Sequence, residues 1–238
     1  MTIRALLFDK DGTLLDYHRT WTPLNREVAL YAARGDGARA ERLLEIAGLD
    51  RLTGRVKPGT VLAGGTNLEI AAAFAEDLGA DTPADLAEAV EEIFLRGSAR
   101  SSVLVEGLHD ALAELLAAGY VLGIATNDTV AGITTSLARH NVLDLFAFTV
   151  GADSGHGGKP EPGMVHAFCD AVGHPPGDVC VVGDALHDFE MARRAGAGLT
   201  VAVLTGTGQR ADLEPLADVV IESVAGLMDC PALSRSIA

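Results

Sequence analysis

Cysteine, lysine and long apolar runs are all scarce in this chain of 238 residues. The three cysteines, Cys169, Cys180 and Cys230, lie far apart and form no metal-ligand spacing, which points to buried free thiols in a reducing cytoplasm. No apolar run reaches the length of a membrane span. The Met1 end lacks a signal-peptide layout, since Arg4 is followed within five residues by Asp9. The expectation is a soluble cytoplasmic protein. Positive charge is short as well: only Lys10, Lys57 and Lys159 are lysines, and the net charge is -15. So acidic a surface repels nucleic acid and anionic membranes, so neither is an expected partner. What the chain has is apolar content, 48% of residues, enough for a substantial core. Its length suggests roughly one to two domains.

The first apolar run, Ile3 and Ala5 to Phe8, reads as a buried strand that stops at a carboxylate, Asp9. Asp11 follows two residues on, and Gly12 then permits a tight turn. Ligands of open α/β sheets collect beyond the carboxyl ends of the strands. Paired carboxylates placed there can hold a hard cation such as Mg2+ and divide nucleophile and acid/base roles. A calcium loop would need a third acid at the loop spacing and a helix before it; here a strand precedes.

From Asp16 to about Gly97 helix signals dominate. Thr22-Pro23 predicts a helix to about Arg34. Asp36 caps a second, with Leu43, Leu44 and Ile46 on its apolar side and Gly48 after its end. Thr66 and Glu69 have capping-box spacing before Ile70, Phe74 and Leu78. Thr82-Pro83 opens a fourth, with Leu86, Val90, Ile93 and Phe94 about a turn apart. From Leu104 onward, buried runs alternate with helices, which calls for a parallel sheet covered on both faces.

Three later strand or loop ends carry polar groups. Thr126-Asn127 ends the next core strand, where a hydroxyl and a backbone N–H suit phosphate oxygens; a strand end with a capping turn is the alternative. Lys159-Pro160 follows the loop Gly155-His156-Gly157-Gly158, and its alternative is a solvated loop lysine. Asp184 ends the apolar strand from Val179, with Asp188 on the first turn of the following helix. Asp188 alone is readable as a complement to the helix dipole. Asp184 suggests metal coordination, because Asp9 and Thr126 also end strands.

In this order, Asp9-Lys10-Asp11-Gly12-Thr13, Thr126-Asn127, Lys159 and Asp184 with Asp188 resemble the motifs of the haloacid dehalogenase-like hydrolases. The inserted helices match their helical-cap subclass, and the overall look is that of phosphoglycolate phosphatases. The resemblance implies an α/β fold, a doubly wound parallel sheet formed by residues 1–16 and 98–238, with a small α-helical cap over 17–97. It implies Asp9 as nucleophile, forming an aspartyl-phosphate, and Asp11 as general acid and base. It further implies that Mg2+ would be held by Asp9, the Asp11 backbone carbonyl and Asp184, with Asp188 in support, and that Thr126, Asn127 and Lys159 would hold phosphoryl oxygens against the repulsion of an acidic surface. Asp11 argues against the dehalogenase and phosphonatase branches, which lack an acid there; the latter uses a cap lysine, for which Lys57 would be the candidate. The expected substrate is a small phosphorylated metabolite, with phosphoglycolate the leading choice. A phosphomutase and a non-catalytic binding protein of the same fold are the alternatives. A Rossmann-type nucleotide binder lacks its Gly-x-Gly-x-x-Gly turn after the first strand. Arg51, Arg55 and Lys57, or the run from Tyr17 to Trp21, are candidates for meeting the far end of the substrate. The alternatives are solvated loop charges and, for Trp21, a packing role under the cap.

Overall fold

The computed structural model describes residues 2–79 and 83–234. Strand β1 (Ala5–Phe8) leads into five helices, α1 (Tyr17–Ala32), α2 (Gly37–Ala47), α3 (Val61–Gly64), α4 (Asn67–Leu78) and α5 (Pro83–Ser101). Helix and strand then alternate through α6 (Leu108–Ala117), β2 (Val121–Ala125), α7 (Val130–Ala138), β3 (Phe148–Val150), α8 (Gly163–Val172) and β4 (Val179–Gly183). The chain closes with α9 (Leu186–Ala195), β5 (Leu199–Val203), α10 (Arg210–Leu213), β6 (Val219–Ile221) and α11 (Pro231–Ser234).

All strand pairs are parallel, in the order β3-β2-β1-β4-β5-β6. The two-residue period of a strand divides β1 between two cores. Leu6 and Phe8 pack with Ile124, Val182, Leu112 and Leu137 on the face covered by α6 and α7. Ala5 and Leu7 pack with Val181, Phe168 and Met191 on the face covered by α8 and α9. Burial on both faces explains why these strands read as unbroken apolar runs. Each fully buried leucine or phenylalanine contributes roughly 1.5–3 kcal/mol. The expected doubly wound α/β sheet is therefore present.

Helices α1 to α5 form a second layer with its own apolar cluster, which includes Trp21, Leu24, Val28, Leu43, Leu44, Phe74 and Val90. The chain passes between layers through an antiparallel bridge between Leu15 and Leu104. The Thr66–Glu69 capping box opens α4 as expected. Two local expectations differ. Helix α1 begins at Tyr17, because the Asp16 side chain accepts from the Arg19 N–H at 3.0 Å; Pro23 then lies inside the helix. Tertiary packing of Tyr17, Trp21 and Leu24 outweighs the hydrogen bond that proline cannot donate. Ile46 is 51% exposed, since the buried stripe of α2 runs through Ala40, Leu43, Leu44 and Ala47. Helix α5 begins at Pro83, and the proposed cap Thr82 lies outside the described residues.

Candidate active site

β1 and β4 are neighbours at the point where strand order reverses, and each ends in an aspartate. The Asp9 N–H still donates to the Val182 carbonyl at 2.8 Å, so the ladder fixes where this side chain starts. Beyond it the chain turns sharply: Leu14 and Leu15 both donate N–H to the Lys10 carbonyl. Gly12 has a φ of +100°, and a Cβ there would lie 2.7 Å from the Asp184 side chain. The glycine is thus required twice, by its conformation and by the closeness of Asp184. From the other side, Thr207 N–H donates to Asp184 Oδ2 at 2.8 Å, and a Cβ on Gly206 would collide with that oxygen.

Asp9, Asp184 and Asp188 each present a carboxylate oxygen within 4.8 Å of the others. Lys159, fully buried rather than solvated, reaches into this group. Its Nζ donates to Asp9 Oδ1 and Asp188 Oδ1, both at 2.6 Å. Asp188 Oδ2 accepts from the Ala185 N–H, so both oxygens of Asp188 are engaged. Asp9 Oδ2, in contrast, is buried and makes no hydrogen bond. Burial pushes Asp9 up, against the pull of Lys159, and pushes Asp184 well up, helped by Asp9 and Asp188. For Asp188 burial acts in the same direction, but Lys159 and His187 together hold it below the ordinary carboxylate range. Three carboxylates face one ammonium, so when all three are ionised two negative charges are left to be neutralised. An all-oxygen donor set with one orphaned oxygen suits a hard divalent cation.

A second charged group adjoins the first. Lys10 is also fully buried; its Nζ lies 2.8 Å from Asp11 Oδ2 and 2.8 Å from Asp128 Oδ2. Trp21 Nε1 donates to Asp11 Oδ1 at 2.6 Å, and Lys10 Nζ stands 4.8 Å from the indole centroid. Burial raises Asp11 to about 6, and Lys10 limits the rise.

Thr126 and Asn127 end β2 on the same edge. Thr126 Oγ1 accepts from the Asp128 N–H. The Asn127 side chain clamps the lysine loop, accepting from Lys159 N–H at 2.7 Å and donating to its carbonyl at 3.3 Å. The same amide reaches Gly64 in the helical layer at 3.4 Å. A cavity of about 440 Å³ runs from Asp9, Asp11 and Asp184 toward α1, α4 and α5. The seven motif residues, Asp9, Asp11, Thr126, Asn127, Lys159, Asp184 and Asp188, therefore converge on one sheet edge, five of them on the cavity wall and Lys159 and Asp188 beneath it.

Arg51, Arg55 and Lys57 do not line this cavity. They are exposed on the loop after α2, where Arg51 pairs with Glu45 at 3.4 Å. Tyr17 and Trp21 do line it. Sequence reasoning gave no role to Lys10 or Asp128. A lysine between two motif acids, and an acid directly after Thr126-Asn127, were the available signals.

Fold and site define an α/β protein with a buried acid cluster at the switch point of its sheet, covered by helices. The model of the haloacid dehalogenase-like hydrolase family matches residues 3–196, and the chain belongs to that family. It is 31% identical over 206 residues to the N-acetylmuramic acid 6-phosphate phosphatase of Pseudomonas putida, covering 87% of this chain and 85% of the relative. It is 27% identical over 241 residues to the phosphoglycolate phosphatase of Vibrio vulnificus, covering 98% and 97%. The fold is similar to that of CbbY from Rhodobacter sphaeroides, solved in complex with phosphate. The TM-score is 0.69 at 23% identity, covering 94% of this chain and 96% of that one.

Proposed function

We propose that this hydrolase is a Mg2+-dependent phosphatase of small phosphorylated metabolites that works through an aspartyl-phosphate on Asp9. Asp9 attacks phosphorus, and the bond to the leaving oxygen breaks. Asp11 gives its proton to that oxygen, which suits a carboxyl raised to about 6. Asp11 then takes a proton from the water that attacks the acyl phosphate, which releases phosphate and regenerates Asp9. Lys159 favours the ionised form of Asp9 and, with Thr126 and the Asn127 backbone, meets the oxygens over which charge spreads. Asp9, Asp184 and the Asp11 backbone carbonyl would hold Mg2+, with Asp188 supporting through its bond to Lys159. Bound there, the ion supplies charge stabilisation of the transferring phosphoryl group.

Residues 17–97 serve as a cap and 1–16 with 98–238 as the catalytic core; the last cap helix, α5, continues to Ser101. A cap over the site favours a small metabolite. The relatives' substrates, phosphoglycolate and N-acetylmuramic acid 6-phosphate, belong in the first assay. The observation that carries the reading is Lys159 bridging Asp9 and Asp188 beside Asp184, while Asp9 Oδ2 lacks a partner. Phosphate release from a panel of esters tests it, with Mg2+ or EDTA, on the native chain and on Asp9→Asn. Turnover should need Mg2+ and fall by at least about 10³-fold in Asp9→Asn. Turnover retained in EDTA or in Asp9→Asn would refute the mechanism. Transfer between positions of one sugar, with no phosphate released, would identify a phosphomutase instead.

A further inference from the structure

The wall of the cavity opposite the acids comes from four helices, α1, α3, α4 and α5, and its chemistry is uneven. On α1, Tyr17, Trp21 and Asn25 recur four residues apart and so share one face. On α5, Ala87, Glu88, Glu91 and Phe94 form the cavity side, while Val90 and Ile93 turn into the apolar cluster. Phe94 packs edge-on against Trp21 at 5.2 Å, and Ile70 of α4 adds a further apolar patch. Among the described residues, no arginine or lysine lines the cavity. The ammonium groups of Lys10 and Lys159 lie beneath it and are already spent on two carboxylates each.

Three side chains on this wall are open to a partner of defined chemistry. Asn25 is buried, 3% exposed, and its amide nitrogen lies beside the Tyr17 hydroxyl without a well-formed hydrogen bond; that hydroxyl donates to the Leu62 carbonyl. Glu88, exposed at the cavity rim, and Glu91, half-buried, line the cavity without an ion-pair partner among the described residues. An amide donor and two acceptor-only carboxylates match hydroxyl or ammonium groups. They oppose a second anion, and among the described residues no arginine or lysine on the wall would repay its desolvation.

We propose that this cavity takes phosphate monoesters whose non-phosphate part is an uncharged or amine-bearing alcohol of sugar size, and that Glu88 and Glu91 disfavour carboxylate-bearing esters. This rests on the phosphatase reading for the position of the phosphate. It separates this chain from relatives whose names denote carboxylic acids, glycolate and muramic acid.

The test reads binding apart from turnover. Glucose 6-phosphate, glucosamine 6-phosphate and 6-phosphogluconate are titrated calorimetrically into Asp9→Asn with Mg2+ present, then into Asp9→Asn carrying Glu88→Gln and Glu91→Gln. The carboxylate ester should bind about tenfold, and at least threefold, more weakly than glucose 6-phosphate, with the amine ester at least as tight as glucose 6-phosphate. The double glutamine change should cut the discrimination against the carboxylate by half or more. Discrimination below threefold, a weaker amine ester, no effect of the glutamines, or no binding of any ester would each overturn the proposal. If the ordering holds but the native enzyme releases no phosphate from any ester, the phosphatase reading fails and the selectivity stands.

Discussion

Two buried lysines stand side by side at the edge of this sheet, and they differ in what surrounds them. Lys159 serves Asp9 and Asp188 with Asp184 close by, so negative charge is in excess and one oxygen, Asp9 Oδ2, is left without a partner. Lys10 serves Asp11 and Asp128, and the Trp21 indole closes the group by donating to Asp11. The first group is electrostatically incomplete and suits the binding of a cation and a phosphoryl group. The second is saturated, and saturation is what holds a side chain in one orientation. Isolated buried charges are too costly to persist, so each lysine is also a structural requirement. On the proposed mechanism, similar buried ion pairs serve reactivity in one case and positioning in the other.

The largest effect should come from Lys159→Met. It leaves Asp9 and Asp188 facing each other without the ammonium, so kcat should fall by about 10³-fold or more for every ester. Removing one partner of such a buried group should also cost about 3–5 kcal/mol in denaturant unfolding. Equal losses on an alkyl phosphate and on p-nitrophenyl phosphate are expected, because the variant would damage the proposed phosphoryl site itself. Normal turnover in a folded Lys159→Met would break the contrast between the two lysines.

Lys10→Met should act more selectively. Asp11 would lose its anchor while the Asp9 group stays intact. We expect kcat on an alkyl phosphate to fall by about 10²-fold with KM little changed, in keeping with the loss of a positioned acid. On p-nitrophenyl phosphate, whose leaving group needs no proton, the loss should stay within about threefold. Equal losses on both esters would show that Lys10 supports the site only structurally.

Trp21→Phe should have the smallest effect. It removes the bond to Asp11 Oδ1 and keeps most of the aromatic packing against Phe94. A hydrogen bond to a charged group is worth about 1.5–3 kcal/mol, and Lys10 still anchors the same carboxylate. A kcat loss of about tenfold on alkyl phosphates, measured by steady-state kinetics, is therefore expected. A loss as large as that of Lys10→Met would show that the indole, and not the ammonium, sets the orientation of Asp11.

Much of this was legible before any coordinates. The strands from Ala5, Val121 and Val179 announce themselves as apolar runs, and a polar residue directly after each is a local feature of the chain. Parallel topology then carries Asp9, Thr126 and Asp184 to one edge. Local signals failed where packing outweighed them: Pro23 is a good helix opener by propensity, yet α1 starts at Tyr17 to bring Tyr17, Trp21 and Asn25 onto one face. Arg51, Arg55 and Lys57 were plausible substrate contacts by charge alone, and the loop that bears them runs outside the cavity.

By itself, then, the sequence determined the elements and the edge on which chemistry collects, because apolar periodicity and strand-end residues depend on near neighbours along the chain. Which charges neutralise which was decided by the tertiary structure. Lys159 meets Asp9 across 150 residues and Lys10 meets Asp128 across 118, and such pairings exist only once the sheet has brought the strand ends together. Burial then decided their strength, since an ion pair far from water is screened little and an unpaired oxygen there cannot be satisfied by solvent.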